Sequence, residues 1–201
     1  MTSLNILAQA AAFWQGKSPN KPTAEQVVTA LLECEKTAKK DKKISDFADF
    51  QGNWRLCFIT GTKKTRQKAG KVLGAGRYLP GWVQIQLSYS QSGDETNPAS
   101  GYMAGEIGNR VQLGGLDLSL TGPAKLLDKN NILAFAFTKM TVKLGGVQLY
   151  NGFIRGGGDD YGKFYQETVK KQAFFAYFIV TPEFIAARGR GGGLALWGRI
   201  N

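Results

Sequence analysis

Phe50-Gln-Gly-Asn-Trp-Arg-Leu-Cys-Phe-Ile-Thr60 is the stretch that decides the fold of this chain. Its residues alternate between two faces, with Trp54, Leu56 and Phe58 on one and Arg55, Cys57 and Ile59 on the other. Alternation with a period of two predicts a β-strand. Gly52 stands at the entrance of this strand, where a glycine allows the chain to turn tightly.

The two ends of the predicted sheet are expected to meet. A Gly-x-Trp at the start of the first strand is typical of lipocalin-like barrels, in which the indole closes one end. The last predicted strand, Leu194-Ala-Leu-Trp-Gly-Arg199, ends in an arginine. First and last strands are neighbours in such barrels, so Arg199 is expected over the Trp54 ring in a cation–π contact. Gly52, Trp54 and Arg199 are thus predicted to close the barrel; the alternative is that Trp54 is only a core aromatic.

Two helices are predicted ahead of the barrel. Residues 3–14 place apolar side chains on one stripe, and Thr23-Ala-Glu-Gln26 has the sequence of a capping box. The second helix runs into a lysine-rich end at residues 36–43, where cations are favoured by the helix dipole. We therefore predict an N-terminal helical extension, residues 1–45, that packs on a lipocalin-like barrel, residues 46–201.

The rest of the chain reads as short antiparallel strands. Trp82–Ser90 alternates strictly between apolar and uncharged polar residues. Residues 102–107 and 110–113 are interpreted as a hairpin that turns at Gly108-Asn109. Phe184–Arg188 and Leu194–Ile200 form the predicted final hairpin. Eight or nine such strands after two helices predict a mainly β protein with an antiparallel barrel.

Two stretches depart from a simple strand pattern. Ile132–Leu144 is predicted as one long strand with a bulge between Phe137 and Met140, where its inner phase slips. Phe174–Val180 is apolar on both faces, which is unusual for an antiparallel strand with one face in water. Either a helix covers its outer face, or that face meets lipid or a partner.

The net charge of +11 over 201 residues indicates an anionic partner, such as a membrane surface or an acidic protein. Thr62–Arg77 is the most basic stretch and contains no acid. The residues predicted to bind an anionic surface are Lys63, Lys64, Arg66, Lys68, Lys71 and Arg77. Near an acidic membrane each adds ~1 kcal/mol. The alternative is a mobile loop whose lysines keep a sheet edge soluble.

Composition also excludes several classes of function. The chain has no histidine, so Ser-His-Asp and Cys-His catalysis and histidine metal ligands are excluded. Cys34 and Cys57 are too few for a structural zinc site and are expected to be unpaired, small buried side chains. No apolar run is long enough for a transmembrane helix, and the N-terminus lacks the basic region of a signal peptide. We therefore expect a non-enzymatic protein, cytosolic or already processed.

Two segments resemble the plastid lipid-associated protein family, the PAP/fibrillins of plastids and cyanobacteria. They are Gly52-Asn-Trp-Arg-Leu-Cys-Phe-Ile-Thr60 and Thr181-Pro-Glu-Phe-Ile-Ala-Ala-Arg-Gly-Arg-Gly-Gly-Gly-Leu-Ala-Leu-Trp-Gly-Arg199. The chain departs from the family at Phe58, which replaces a tyrosine, and in its basic stretch. The resemblance implies a lipocalin-like barrel that associates with thylakoid or plastoglobule lipids, and it brings no catalytic residues. Since no transit sequence is seen, a cyanobacterial-type member is expected, peripheral on the cytoplasmic side of the thylakoid, or in the plastid stroma for a plastid member.

Three functions are weighed on this basis. The first is a lipid or isoprenoid binder whose barrel interior holds an isoprenoid, carotenoid or acyl lipid among Trp82, Phe135, Phe137 and Tyr177. The second is an interaction subunit that docks on a membrane protein complex or an acidic partner. The third is a bilin-lyase-like protein with acid or base groups at Asp117, Asp159, Asp160 or Tyr161, by analogy of fold alone. No specific nucleic acid is expected, since any protein this basic binds DNA in a salt-dependent way.

Overall fold

The computed structural model describes residues 2–41, 43–61, 76–91, 101–154, 157 and 160–200, apart from the side chains of residues 160 and 161. It is mainly β, with a closed antiparallel barrel of eight strands and a few helices at the N-terminus. This confirms the predicted fold class. The helices are α1 (Ser3–Trp14), α2 (Ala24–Asp41), α3 (Phe47–Phe50) and α4 (Asp160–Gln166).

The described strands run from one end of the chain to the other. They are β1 (Gly52–Ile59), β2 (Arg77–Tyr78), β3 (Val83–Gln91), β4 (Tyr102–Leu113), β5 (Leu116–Leu127), β6 (Ile132–Phe135), β7 (Lys139–Leu144), β8 (Val147–Phe153), β9 (Ala173–Val180), β10 (Phe184–Gly189) and β11 (Leu194–Ile200). By its contacts the chain divides into two compact units. Unit 1 is Met1–Lys43, Trp54–Gly81 and Phe175–Ile200, and unit 2 is Ile44–Asn53 with Trp82–Phe174.

Unit 1 buries the apolar stripes of its two long helices. The predicted capping box begins α2: Thr23 Oγ1 accepts from the Gln26 N–H at 3.2 Å, and Gln26 Oε1 accepts from the Thr23 N–H at 2.8 Å. One buried cluster joins the helices to the strands, namely Leu7, Ala10, Ala11, Val27, Ala30, Leu31, Phe58, Ile179, Phe184, Ala186, Leu194 and Leu196. Phe178 packs against this cluster. For the part of β9 in unit 1, cover by helices is therefore the alternative observed.

The β3–β4–β5 meander of unit 2 corrects one sequence prediction. β4 runs unbroken through Gly108 and Asn109, which pair with Ser88 and Leu87 of β3. The predicted hairpin there is wrong, and the chain turns instead at Gly114-Gly115. Gly108 has a different role, because a Cβ at this position would lie 2.3 Å from the Ser88 Oγ. The absence of a side chain at Gly108 leaves room for the Ser88 side chain of the neighbouring strand.

The predicted long strand Ile132–Leu144 is two strands. β6 pairs with β5 at Ala124–Leu126, and β7 pairs with β5 at Leu116–Thr121. The chain leaves regular strand geometry at residues 136–138, close to the expected bulge. Backbone hydrogen bonds still cross the break, from the Ala136 N–H to the Pro123 carbonyl and from the Thr138 N–H to the Thr121 carbonyl. β8 continues the sheet beyond β7.

Candidate functional site

The predicted contact between the first and last strands is present in unit 1. The Arg199 guanidinium carbon lies 4.0 Å from the centroid of the Trp54 ring, and the indole is fully buried. The Gln15 side chain donates to the Arg199 carbonyl at 2.7 Å, so the residue that caps the C-terminus of α1 is hydrogen-bonded to β11. Gly52 has φ of 115°, a backbone conformation that favours glycine, as expected at the entrance of β1.

An aromatic pocket in unit 2 contains two of the four predicted ligand-binding residues. Phe135 and Phe137 line a cavity of about 320 Å³ together with Phe164. The Phe135 and Phe137 ring centroids are 5.3 Å apart. The exposed side chains of Lys163, Glu167 and Lys171 stand at the rim. The pocket therefore offers an apolar interior with two cations and one carboxylate at its mouth.

The other two predicted ligand-binding residues lie elsewhere. Trp82 is 69% exposed, so its predicted place in a barrel interior is wrong. Its position explains the exposure, because it occupies the turn that precedes β3. Tyr177 is buried in unit 1, where it packs with Phe175 and Trp197.

Sequence reasoning missed a buried lysine that supports the wall of this aromatic pocket. Lys125 of β5 is 3% exposed, and its ammonium group donates to the carbonyls of Phe164, Tyr165 and Glu167 at 3.0, 3.2 and 2.8 Å. These carbonyls lie at the C-terminal end of α4, where a cation is favoured by the helix dipole. Burial lowers the pKa of Lys125 from its ordinary value. The only signal in the sequence is a lysine inside the apolar run Pro123-Ala-Lys-Leu-Leu127.

The residues predicted to bind an anionic surface fall mostly in a stretch that the structure does not describe. Lys63, Lys64, Arg66, Lys68 and Lys71 lie outside the described residues. Arg77 is described and is exposed in β2.

Of the acid and base candidates of the bilin-lyase hypothesis, Asp117 is the one whose side chain the structure describes. Asp159 and the side chains of Asp160 and Tyr161 lie outside the described part of the chain. Asp117 accepts a forked set of hydrogen bonds from Arg110, including Nε to Oδ1 at 2.9 Å. That hydrogen bonding lowers the pKa of Asp117, which keeps the carboxyl ionised at neutral pH.

A second cavity lies in unit 1 between α1, α2 and β9. It measures about 750 Å³, with Phe178, Ile179 and Val180 on its apolar side and Lys36, Lys40 and Lys43 on its charged side. Cys34 lines it, and burial raises the pKa of that thiol. Both cysteines are free, as expected, and burial raises the pKa of Cys57 to about 12.

Comparison with known proteins adds no family to these observations. No protein-family model matches the chain, and no curated protein is significantly similar to it in sequence. Among the described residues, no group of three or more acidic or cysteine side chains could hold a metal ion. No described helix is long and apolar enough to cross a bilayer. What the fold and the cavities define is a mainly β barrel protein with an aromatic pocket.

Proposed function

We propose that this chain is a non-enzymatic lipid-binding protein that acts peripherally at an anionic photosynthetic membrane. The observation that carries this proposal is the aromatic pocket of Phe135, Phe137 and Phe164 in unit 2. Apolar walls with a few polar groups at the mouth are the usual chemistry of small-molecule sites. Its volume of about 320 Å³ suits one ring or the end of one chain of an isoprenoid, carotenoid or acyl lipid.

Charge and sequence support the membrane part of this proposal. A net charge of +11 favours contact with anionic lipid head groups. The segments at residues 52–60 and 181–199 resemble the PAP/fibrillins, whose setting is the photosynthetic membrane. Charge alone gives reversible attachment that weakens as salt screens it.

The experiment that tests ligand binding is an organic extraction of the protein purified from a photosynthetic host. Mass spectrometry and absorbance of the extract are expected to show about one isoprenoid, carotenoid or acyl lipid per chain. Phe137→Ser, which removes one wall of the aromatic pocket, should lower that ratio severalfold. Phe153→Ser is the matched control, because Phe153 is 62% exposed and lies outside the pocket. An empty extract from the unmutated protein, or equal loss in both variants, would contradict the proposal.

Docking on a membrane protein complex or an acidic partner stays the alternative. This alternative predicts that a partner co-purifies in stoichiometric amount, that the association survives high salt, and that the organic extract is empty. The two functions therefore give opposite results in one purification.

A further inference from the structure

The tips of two neighbouring hairpins of unit 2 lie side by side. β4 and β5 are joined by Gly114-Gly115, and β7 and β8 by Gly145-Gly146. The Gly145 N–H donates to the Gly115 carbonyl at 2.9 Å, which ties the two turns together. Gly114, Gly145 and Gly146 have positive φ, and no other group lies near the place of their missing side chains. The two turns therefore expose backbone that carries no side chains at these three positions.

An apolar row crosses this edge on one face of the sheet. Strand register pairs each member with the next, and the members of this tip row are Val83, Leu113, Leu116, Leu144 and Val147. Residues directly opposite one another in antiparallel strands share a face. The last four are 41%, 37%, 53% and 65% exposed in this order, and Trp82, next to Val83, is 69% exposed.

The opposite face of the same edge is polar throughout. The next register row consists of Gln84, Gln112, Asp117, Lys143 and Gln148. Successive residues of a strand point to opposite faces, so this end of the sheet is amphipathic. An exposed apolar row on such an edge marks an interaction surface rather than an ordinary scatter of surface leucines.

Charge decides between the occupants that this surface could take. Asp117 interacts with both Arg110 and Lys143, so these three residues together carry a net positive charge at this end of the sheet. A second copy would bring another +11 to the first, which opposes self-association. Anionic lipid supplies an apolar layer for the tip row and negative head groups for the cations around it.

We propose that the tip row, together with Trp82, inserts into the interfacial layer of an anionic lipid membrane. This inference deepens the membrane part of the proposed function and rests on it. Tryptophan is favoured at the boundary between head groups and acyl chains, and Trp82 stands beside the row. Amphipathic surface elements reach about 5–10 Å into that boundary, which is the depth expected for the tip row.

Trp82 itself reports the insertion. Of the four tryptophans, Trp54 and Trp197 are buried, and Trp14 donates its indole N–H to the Leu79 carbonyl at 2.9 Å. Vesicles of phosphatidylglycerol and phosphatidylcholine with brominated acyl chains should therefore quench mainly Trp82 and shift its emission to the blue. In Trp82→Phe this quenching should disappear. A Trp82 signal unchanged by vesicles that bind the protein would overturn the inference.

Two variants test the row against a matched control. Leu144→Gln and Val147→Gln should each weaken vesicle partitioning about five- to tenfold, because each removes a large apolar side chain from the contact. Leu32→Gln, a change at a leucine of α2 that is 48% exposed, should leave partitioning unchanged. Equal losses in all three variants, or none, would contradict the tip row as the membrane contact.

The two proposals can fail separately. A stoichiometric lipid in the organic extract, with vesicle binding that ignores the tip row, would reject the inference and keep the lipid-binding function. An empty extract with quenched Trp82 would reject the ligand pocket and keep the insertion. Absence of any binding to anionic vesicles would reject the inference and the membrane part of the function together.

Discussion

Glu35 and Arg188 form a partly enclosed ion pair in unit 1, in which the Glu35 side chain is 12% exposed and the Arg188 side chain 28% exposed. Arg188 Nε donates to Glu35 Oε1 at 2.7 Å and Nη2 to Oε2 at 2.5 Å, while Nη1 donates to the Gly192 carbonyl at 2.6 Å. The pair joins α2 to β10 and to the turn after it. Hydrogen bonding to Arg188 lowers the pKa of Glu35 below its ordinary value, against the opposing effect of burial.

Breaking this pair is expected to destabilise the protein. Glu35→Gln should lower the free energy of unfolding by ~1–3 kcal/mol, the usual effect of disrupting a hydrogen-bonded charged group. Asp117→Asn is the matched control, since the Arg110–Asp117 pair is forked but exposed, and it should have a smaller effect. Urea unfolding at neutral pH measures both. Equal effects would show that enclosure of the Glu35 pair contributes nothing.

The same pair predicts a dependence on pH. Because the pKa of Glu35 is lower in the folded state than in the unfolded chain, its stabilisation is complete above the unfolded pKa, near 4.5. It is lost as pH falls from there through the folded pKa. The stability difference between the unmutated protein and Glu35→Gln should therefore shrink progressively below pH 4.5. A difference that stays constant down to pH 2 would contradict this linkage.

At the scale of elements, α3 packs closely on β4 within unit 2. A Cβ added to Gly105 would lie 2.1 Å from Cζ of the Phe47 ring, which is fully buried. α3 is held in place by a reciprocal cap between Asp46 and Asp49. The ring and the strand therefore have little freedom to separate.

The space around two glycines of unit 2 predicts opposite effects when each is replaced by alanine. Gly105→Ala should destabilise the protein by ~1–3 kcal/mol, because the new methyl group overpacks the Phe47 ring. Gly162→Ala in α4 meets no group within 4 Å and should stabilise the helix by up to about 1 kcal/mol. Thermal unfolding of both variants measures the contrast. Tolerance of alanine at Gly105 would show that α3 can move off β4.

The whole molecule carries a net charge of +11, and five of its cations fall in residues 63–71. If these cations hold the protein on a membrane, replacing them with glutamine should weaken binding to anionic vesicles at least tenfold, at ~1 kcal/mol per charge before screening. The residues to change are Lys63, Lys64, Arg66, Lys68 and Lys71. The slope of binding against salt should also become shallower. Vesicle co-sedimentation across a salt series measures both quantities.

The matched control removes five charges from exposed lysines elsewhere. These are Lys17, Lys36, Lys40, Lys129 and Lys170. This control variant has the same net charge but should keep most of the affinity. Equal losses in the two variants would show that the total charge acts, and not the basic stretch.

How far the sequence predicts this protein depends on the distance over which each feature is encoded. Alternation and capping residues act over a few positions, so β1, β3, both long helices and the final hairpin were predicted close to their observed bounds. The Trp54–Arg199 contact was also predictable, because both residues stand at recognisable strand ends. The turn predicted at Gly108 was wrong, because a glycine is suited both to a turn and to a strand position where a neighbouring side chain packs against the backbone.

The amino-acid sequence by itself determined the mainly β class, the helical start, the excess of positive charge and the absence of histidine chemistry. These are properties of composition and of short-range pattern. Only the tertiary structure decided that Phe135 and Phe137 share a pocket with Phe164 and that Lys125 binds the last carbonyls of α4. It also decided that the five leucines and valines of the tip row line up at one sheet edge. The physical reason is register: which residues become neighbours depends on strand pairing, and pairing joins segments that no local pattern connects.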